Sequence, residues 1–313
     1  MKRFAAALGV CLAVAAPAHA NEFITVLTGG TSGVYYPLGV ALNGIYSKAI
    51  SSAKITVQAT KASVENLNLL QAGRGEIAFT LGDSLSDAWK GREEAGFKAK
   101  LDKLRSVAGI YPNYIQIVAA KDSGIKTLAD LKGKRVSVGA PKSGTELNAR
   151  AIFSAAGMSY NDFAKTEYLP FAESVDLMKN RQLDATLISA GLGVAAVRDL
   201  ATSQEITVVA VPPDVIQKVG DPAYISETVP AGTYNGQTEA VPTAAVRNFL
   251  VTHAGVPEAS VYAMTKAMYE NLDNLTAAHA AAKQIKLEAD AAKAPIPLHP
   301  GAEKFYKEKG LLK

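Results

Sequence analysis

Two short stretches of this sequence carry residue types that bind an anion through backbone amides and hydroxyls. The first is Thr28-Gly29-Gly30-Thr31-Ser32-Gly33-Val34-Tyr35-Tyr36-Pro37, set between a strand-like run, FITVL, and a helix-like run, LGVALNGIY. Glycine lets backbone approach a ligand closely, and a helix start presents N–H groups without intrahelical partners. The amides around Gly30 and Gly33 and the hydroxyls of Thr31 and Ser32 could hold a carboxylate there. Tyr35 and Tyr36 could wall a cleft, or pack in a core behind a plain tight turn. The second stretch is Ala140-Pro141-Lys142-Ser143-Gly144-Thr145. Gly139 and Gly144 have phosphate-loop spacing, but Thr145 stands where that motif needs lysine. As a helix start donating from Ser143, Gly144 and Thr145 to an anion it works, with Lys142 adding positive potential or simply solvated.

Two further corners have the same form. In Ala59-Thr60-Lys61-Ala62-Ser63-Val64-Glu65-Asn66, Ser63 is the expected N-cap, and Asn66 either points into a cleft or solvates the helix end. In Leu81-Gly82-Asp83-Ser84, Asp83 either caps its helix or accepts from a ligand amine. Gly191-Leu192-Gly193-Val194-Ala195-Ala196 matches G-x-G-x-x-A after a strand-like run, with Asp214 beyond it. That is a dinucleotide fingerprint, yet it comes late and lacks the parallel continuation such a fold needs. Catalytic arrangements are weak. His253, His279 and His299 lie far apart without metal-ligand spacing, and no G-x-S-x-G elbow or acid–base pair is evident. The expectation is a non-enzyme without cofactor or metal.

These corners need a scaffold, and the rest of the sequence describes one. Of 313 residues, 48% are hydrophobic and 20% charged, ordinary for a globular chain of two domains. Residues 1–20 differ: a basic MKR, the apolar run FAAALGVCLAVAA and Ala18-His19-Ala20 form a secretory signal expected to be cut after Ala20. Its apolar run is too short for a permanent span. The single cysteine, Cys11, goes with it. Losing Lys2 and Arg3 takes the net charge from +4 to +2, too mild to argue for nucleic acid or a membrane surface.

Strand-like and helix-like runs alternate from residue 22, which predicts an α/β fold with parallel sheets covered by helices. Helices are expected near 35–49, 63–73 and 83–90, Tyr111-Pro112-Asn113 as a turn, and 212–242 as irregular. The pattern restarts after residue 112. Lobe I is therefore assigned to 21–112 and 245–313 and an inserted lobe II to 113–244, with two crossings forming a hinge around a ligand cleft.

The motifs together resemble the TAXI-type solute receptors of tripartite ATP-independent periplasmic (TRAP) transporters. The likeness runs from about residue 22 to the end, through TGGTSGVYYPLGVAL, ASVENLNLLQAGRGEIAFTLGD, LADLKGKRVSVGAPKSGTE, VPAGTY and IPLHPGAEKFYKEKGLLK. It implies the type II periplasmic-binding-protein fold and a monomeric periplasmic receptor. Such a receptor delivers an organic acid or amino acid of the glutamate/2-oxoglutarate class to an ion-driven permease and hydrolyses nothing. It also implies ligand contacts at Thr31, Ser32, Gly33, Tyr35, Ser63, Asn66, Asp83, Ser143, Gly144, Thr145 and Gly191. Leu81 and Gly193 depart from the glutamine and proline that many members carry. The rival readings are a binding protein for an ABC permease or a sensor kinase, and an exported dinucleotide-dependent enzyme using the Gly191 loop.

Overall fold

The structure is a computed structural model that describes residues 22–313. The signal expected over 1–20 lies outside the described residues. In chain order the elements are β1 (Glu22–Leu27), α1 (Tyr35–Ala49), β2 (Ala53–Gln58), α2 (Ser63–Gln71), β3 (Ile77–Leu81), α3 (Gly82–Lys90) and β4 (Leu104–Ala120). Then come β5 (Arg135–Ser137), α4 (Gly144–Ala155), β6 (Lys165–Glu167), α5 (Phe171–Lys179), β7 (Ala185–Ala190), α6 (Ala195–Ser203), β8 (Ile206–Val209), α7 (Pro213–Val219) and β9 (Tyr224–Val229). The chain ends with β10 (Val241–His253), α8 (Glu258–Glu270), α9 (Leu272–Ala278) and α10 (Pro300–Glu308).

β1 pairs in parallel with β2 and β3, and β5 in parallel with β6 and β7. These are the two α/β sets. Every residue of β3 and β7 is buried, as helices on both faces require. The sheet is not purely parallel, which corrects the expectation. Between the sets run two long antiparallel strands, β4 and β10, paired from Leu104↔His253 to Ala245↔Tyr114. β10 borders β9 through its first half and β3 through its second. β4 goes on beyond β10 to pair with β7 and β8. Each strand thus serves both sets, exchanging neighbours near Pro112 and Arg247.

Two local expectations fail for one reason. Tyr111-Pro112-Asn113, expected as a turn, lies inside β4. Proline cannot donate to a ladder and is tolerated in strands at edges and irregularities; Pro112 faces Arg247, where the β4–β10 register shifts. Residues 212–242, expected to be irregular, contain α7 and β9. Pro213 opens α7, where a missing N–H costs nothing, and β9 is held by β10 rather than by its own periodicity.

Asn248 locks the exchange point. It is fully buried, and its Nδ2 donates to Tyr111 O (2.8 Å) and Asn113 Oδ1 (2.8 Å). Its Oδ1 accepts from the Tyr35 hydroxyl. One side chain therefore ties β10, β4 and α1 together. Asn248→Ala leaves Asn113 Oδ1 and the Tyr35 hydroxyl buried without this partner, and is expected to lower unfolding stability by about 1–3 kcal/mol. Urea titration checks this, with the midpoint moving and the slope constant.

Candidate functional site

The carboxyl ends of β1, β2, β5 and β7 all lead into helices at the seam between the two sets. There they enclose a cavity of about 130 Å³. One wall comes from lobe I: Gly29, Gly30, Gly33, Val34 and Tyr35 from the first corner, Thr60–Ser63 from the second, and Leu81. Asn113, on the exchange segment of β4, contributes to the lining. Lobe II supplies Ala140, Ser143, Gly144 and Thr145, then Pro170 and Phe171, then Ser189 and Ala190 at the end of β7.

Four helices have their first residue in this lining, α1, α2, α4 and α5, and each brings the positive end of its dipole. α1 carries no acidic residue in its first turn. Ser143 is the N-cap of α4, its Oγ accepting from the amide of Glu146 (3.1 Å). Gly139, at φ 98°, leaves room for Thr145: a Cβ at 139 would stand 2.7 Å from Thr145 Cγ2. The preceding residue in each lobe is strained. Ala62 and Lys142 take positive φ (68° and 61°) without being glycine, at a typical cost of about 1–3 kcal/mol each.

Of the residues singled out from the sequence, Gly30, Gly33, Tyr35, Ser63, Ser143, Gly144 and Thr145 come together around the cavity. The others do not line it. Thr31 is exposed, and Ser32 meets lobe II through its carbonyl, which accepts from the Ala196 amide (3.3 Å). Tyr36 is half-buried outside the lining. Asn66 is wholly committed: its Nδ2 donates to Thr28 O (2.7 Å) and Phe79 O (2.9 Å), and its Oδ1 accepts from Thr60 Oγ1 (2.7 Å). It fastens α2 to the end of β1 and the middle of β3. Lys142 is exposed, and its carbonyl accepts from the Glu65 amide across the seam (3.2 Å). Gly191 is packed by the protein itself, since a Cβ there would stand 2.8 Å from Ala281 Cβ and 3.2 Å from the Tyr111 ring. That close approach accounts for the glycine without a dinucleotide. Ser63 is not the cap of α2 but its first residue, its Oγ accepting from the Leu81 amide (3.1 Å).

Asp83 differs most from its expected role. It neither caps α3 nor lines the cavity. It is 4% exposed, and its Oδ2 accepts from Asn148 Nδ2 (2.6 Å) and the Tyr224 hydroxyl (2.7 Å), both from lobe II. Oδ1 accepts from the Ser84 amide (2.6 Å). Burial pushes its pKa up to about 6, against the lowering effect of Tyr224 and the Ser84 amide, while Asp87 and Asp221 add repulsion. This trio joins the lobes behind the cavity wall.

Sequence reasoning missed the far wall. Phe171, Pro170 and Ser189 carry no glycine or hydroxyl cluster, and Asn113 was absorbed into a supposed turn. Ser189 is 4% exposed, and its Oγ has no hydrogen-bond partner. Among the described residues, no group of acidic, histidine or cysteine side chains could hold a metal ion, and no helix is long and apolar enough to cross a membrane.

A model of the NMT1-like family matches residues 26–310. The chain belongs to the NMT1-like family. Solved structures similar to this NMT1-like chain include PhnD1 from Prochlorococcus marinus (MIT 9301) in complex with methylphosphonate, 11% identical over 93% of this chain and 99% of that one, with a TM-score of 0.57. The alkanesulfonate-binding protein SsuA from Xanthomonas axonopodis pv. citri bound to MOPS is 16% identical over 94% and 96%, with a TM-score of 0.52. A binding protein component of an ABC phosphonate transporter from Pseudomonas aeruginosa is 10% identical over 85% and 80%, with a TM-score of 0.54. At such identities the likeness is one of fold. The NMT1-like chain has the two-lobed α/β fold of periplasmic binding proteins.

The seam is closed in this structure, and Gly144 sets how closely. A Cβ at 144 would stand 2.6 Å from Ser63 Oγ and 2.7 Å from Leu81 Cδ1. Gly144→Ala is expected to leave each lobe folded, because alanine suits a helix start, but to hold the lobes apart. Small-angle scattering should show the open shape persisting at ligand concentrations that close the parent. Gly44→Ala, on the exposed face of α1 away from the cavity and meeting nothing within 4 Å, serves as the control and should close normally. Asp83 generates a second expectation. Opening hydrates its carboxyl and returns it toward about 3.9, so closure takes up a proton between the two values. Closure is then favoured below about pH 6 and loses that contribution as pH rises through it. Ligand affinity should fall about tenfold between pH ~5 and ~7, and Asp83→Asn should flatten the profile in calorimetric titrations.

Proposed function

We propose that this NMT1-like chain is an extracytoplasmic solute receptor that closes on a small organic anion and presents it to a membrane permease. The observation that carries this reading is the seam itself. Two lobes joined by two crossing strands enclose a cavity lined by four helix starts and by the exposed Lys61, and no acidic side chain lines it among the described residues. A hydrated carboxylate entering the open cleft exchanges water for fixed donors. Each charge-assisted bond contributes about 1.5–3 kcal/mol, and a few suffice for micromolar binding, about −8 kcal/mol.

Two readings of the permease each have support. The motifs quoted above resemble TAXI-type receptors, which pair with TRAP permeases and carry glutamate or 2-oxoglutarate. The named structural neighbours include a component of an ABC phosphonate transporter and an alkanesulfonate-binding protein, and they favour an ATP-driven permease. We favour the second. Reconstitution with each permease class in proteoliposomes separates them: uptake that needs internal ATP supports it, and uptake driven by an ion gradient alone supports the first. The signal expected over residues 1–20 and the neighbours' fold support a periplasmic location.

The receptor reading itself is tested by ligand-panel thermal shift on protein stripped of bound solute. At least one small acid should stabilise the chain, by about 2.7 kcal/mol at a hundred times its dissociation constant. A panel of carboxylates, keto acids, amino acids, sulfonates and phosphonates giving no shift overturns it.

A further inference from the structure

The polar groups around the cavity are mostly donors, and this asymmetry narrows the ligand. On the donor side stand the helix starts, with the Thr145 hydroxyl at the start of α4, the exposed Lys61, and Ser189, whose buried Oγ has no partner. On the acceptor side four oxygens are already engaged. Ser189 O accepts from Asn113 Nδ2 (2.9 Å) and Ala190 O from Gln116 Nε2 (3.0 Å). Asn113 Oδ1 accepts from Asn248 Nδ2 (2.8 Å), and Pro170 O from the Ser174 amide (3.0 Å). The nearby carboxylate that an ammonium group could have used, Asp83, lies behind the wall and is held by Asn148 and Tyr224. The hydroxyls of Tyr35, Thr60, Ser63 and Ser143 already have protein partners, and the apolar part of the lining is Val34, Leu81, Ala140, Pro170 and Phe171.

We propose that the ligand is a small organic acid with one oxyanion headgroup, carboxylate or sulfonate, on an apolar body without an ammonium group. This rests on the receptor reading above and narrows it. An ammonium group buried here would lose its water and gain no counter-charge, which costs several kcal/mol. A second carboxylate would lie against Leu81 and Phe171 with no further cation among the lining residues. The cavity of about 130 Å³ is slightly smaller than one of about 150 Å³ that accepts benzene. It fits a body of a few carbons.

Matched probes test this on the full mature chain, stripped of solute, by calorimetry. 3-Methyl-2-oxobutanoate and valine share a carbon body and differ in carrying a keto or an ammonium group. The keto acid is expected to bind at least about 100-fold more tightly, about 2.7 kcal/mol. Valine binding as well as the keto acid, or glutamate or 2-oxoglutarate binding most tightly of all, overturns the proposal and leaves the receptor reading standing. Propane-1-sulfonate distinguishes the headgroups: sulfonate or carboxylate binding tightest supports the class and names its member. Silence from every anion, monoacids included, overturns the receptor reading instead. Ser189→Ala should weaken the best acid by about tenfold, the loss of one hydrogen bond to a charged group; unchanged affinity removes Ser189 as an anchor.

Discussion

A donor taken out of water must find an acceptor, and this protein's design turns on that constraint. At the seam, two lobes bring helix starts and hydroxyls to the lining of one small cavity. Facing N-termini repel one another through their dipoles, so the closed seam is more favourable with an anion inside than without one. Openness is the alternative, in which the same groups are hydrated. The guest shifts that balance only as far as it prefers the closed form. Affinity and shape change are one quantity here.

The scaffold makes this possible by putting its irregular chemistry at the carboxyl ends of parallel strands, where open α/β sheets bind ligands. Around these ends the polar side chains divide their tasks. Asn66 and Asn248 are consumed in fastening strands to one another and to helix starts, and Asp83 in joining the lobes. None of these three lines the cavity, yet each decides where the lining stands. Gly144 works by what it lacks, because it lets a helix start press against Ser63 and Leu81.

The corners were legible in the sequence because their signals are local. Gly29–Gly33 and Ser143–Thr145 punctuate a change of hydrophobic period from strand to helix, and both lie at the cavity. The first three helices fell within two residues of their expected bounds. What was illegible depends on pairing across the chain. Pro112 has the local signature of a turn, but β10 on one side holds it in an extended strand. β9 exists because β10 borders it. Asn66 looked like a ligand contact since its type and helical position suit one, and only the positions of Thr28 and Phe79 show its amide to be spent. Phe171 and Ser189 reach the cavity through tertiary folding that no short spacing encodes.

β4 and β10 each pass through both lobes, and Asn113 and Asn248 sit where they do so. The floor of the cleft is therefore built from the strands that join the two lobes. A residue changed to suit a different solute at that floor also alters the stiffness of the joint. Selectivity and the ease of opening are mechanically coupled, and solute release must adapt in step with solute choice. Evolution toward a new cargo would find more freedom at Leu81 and Phe171, on the walls, than at the strands that carry the bend.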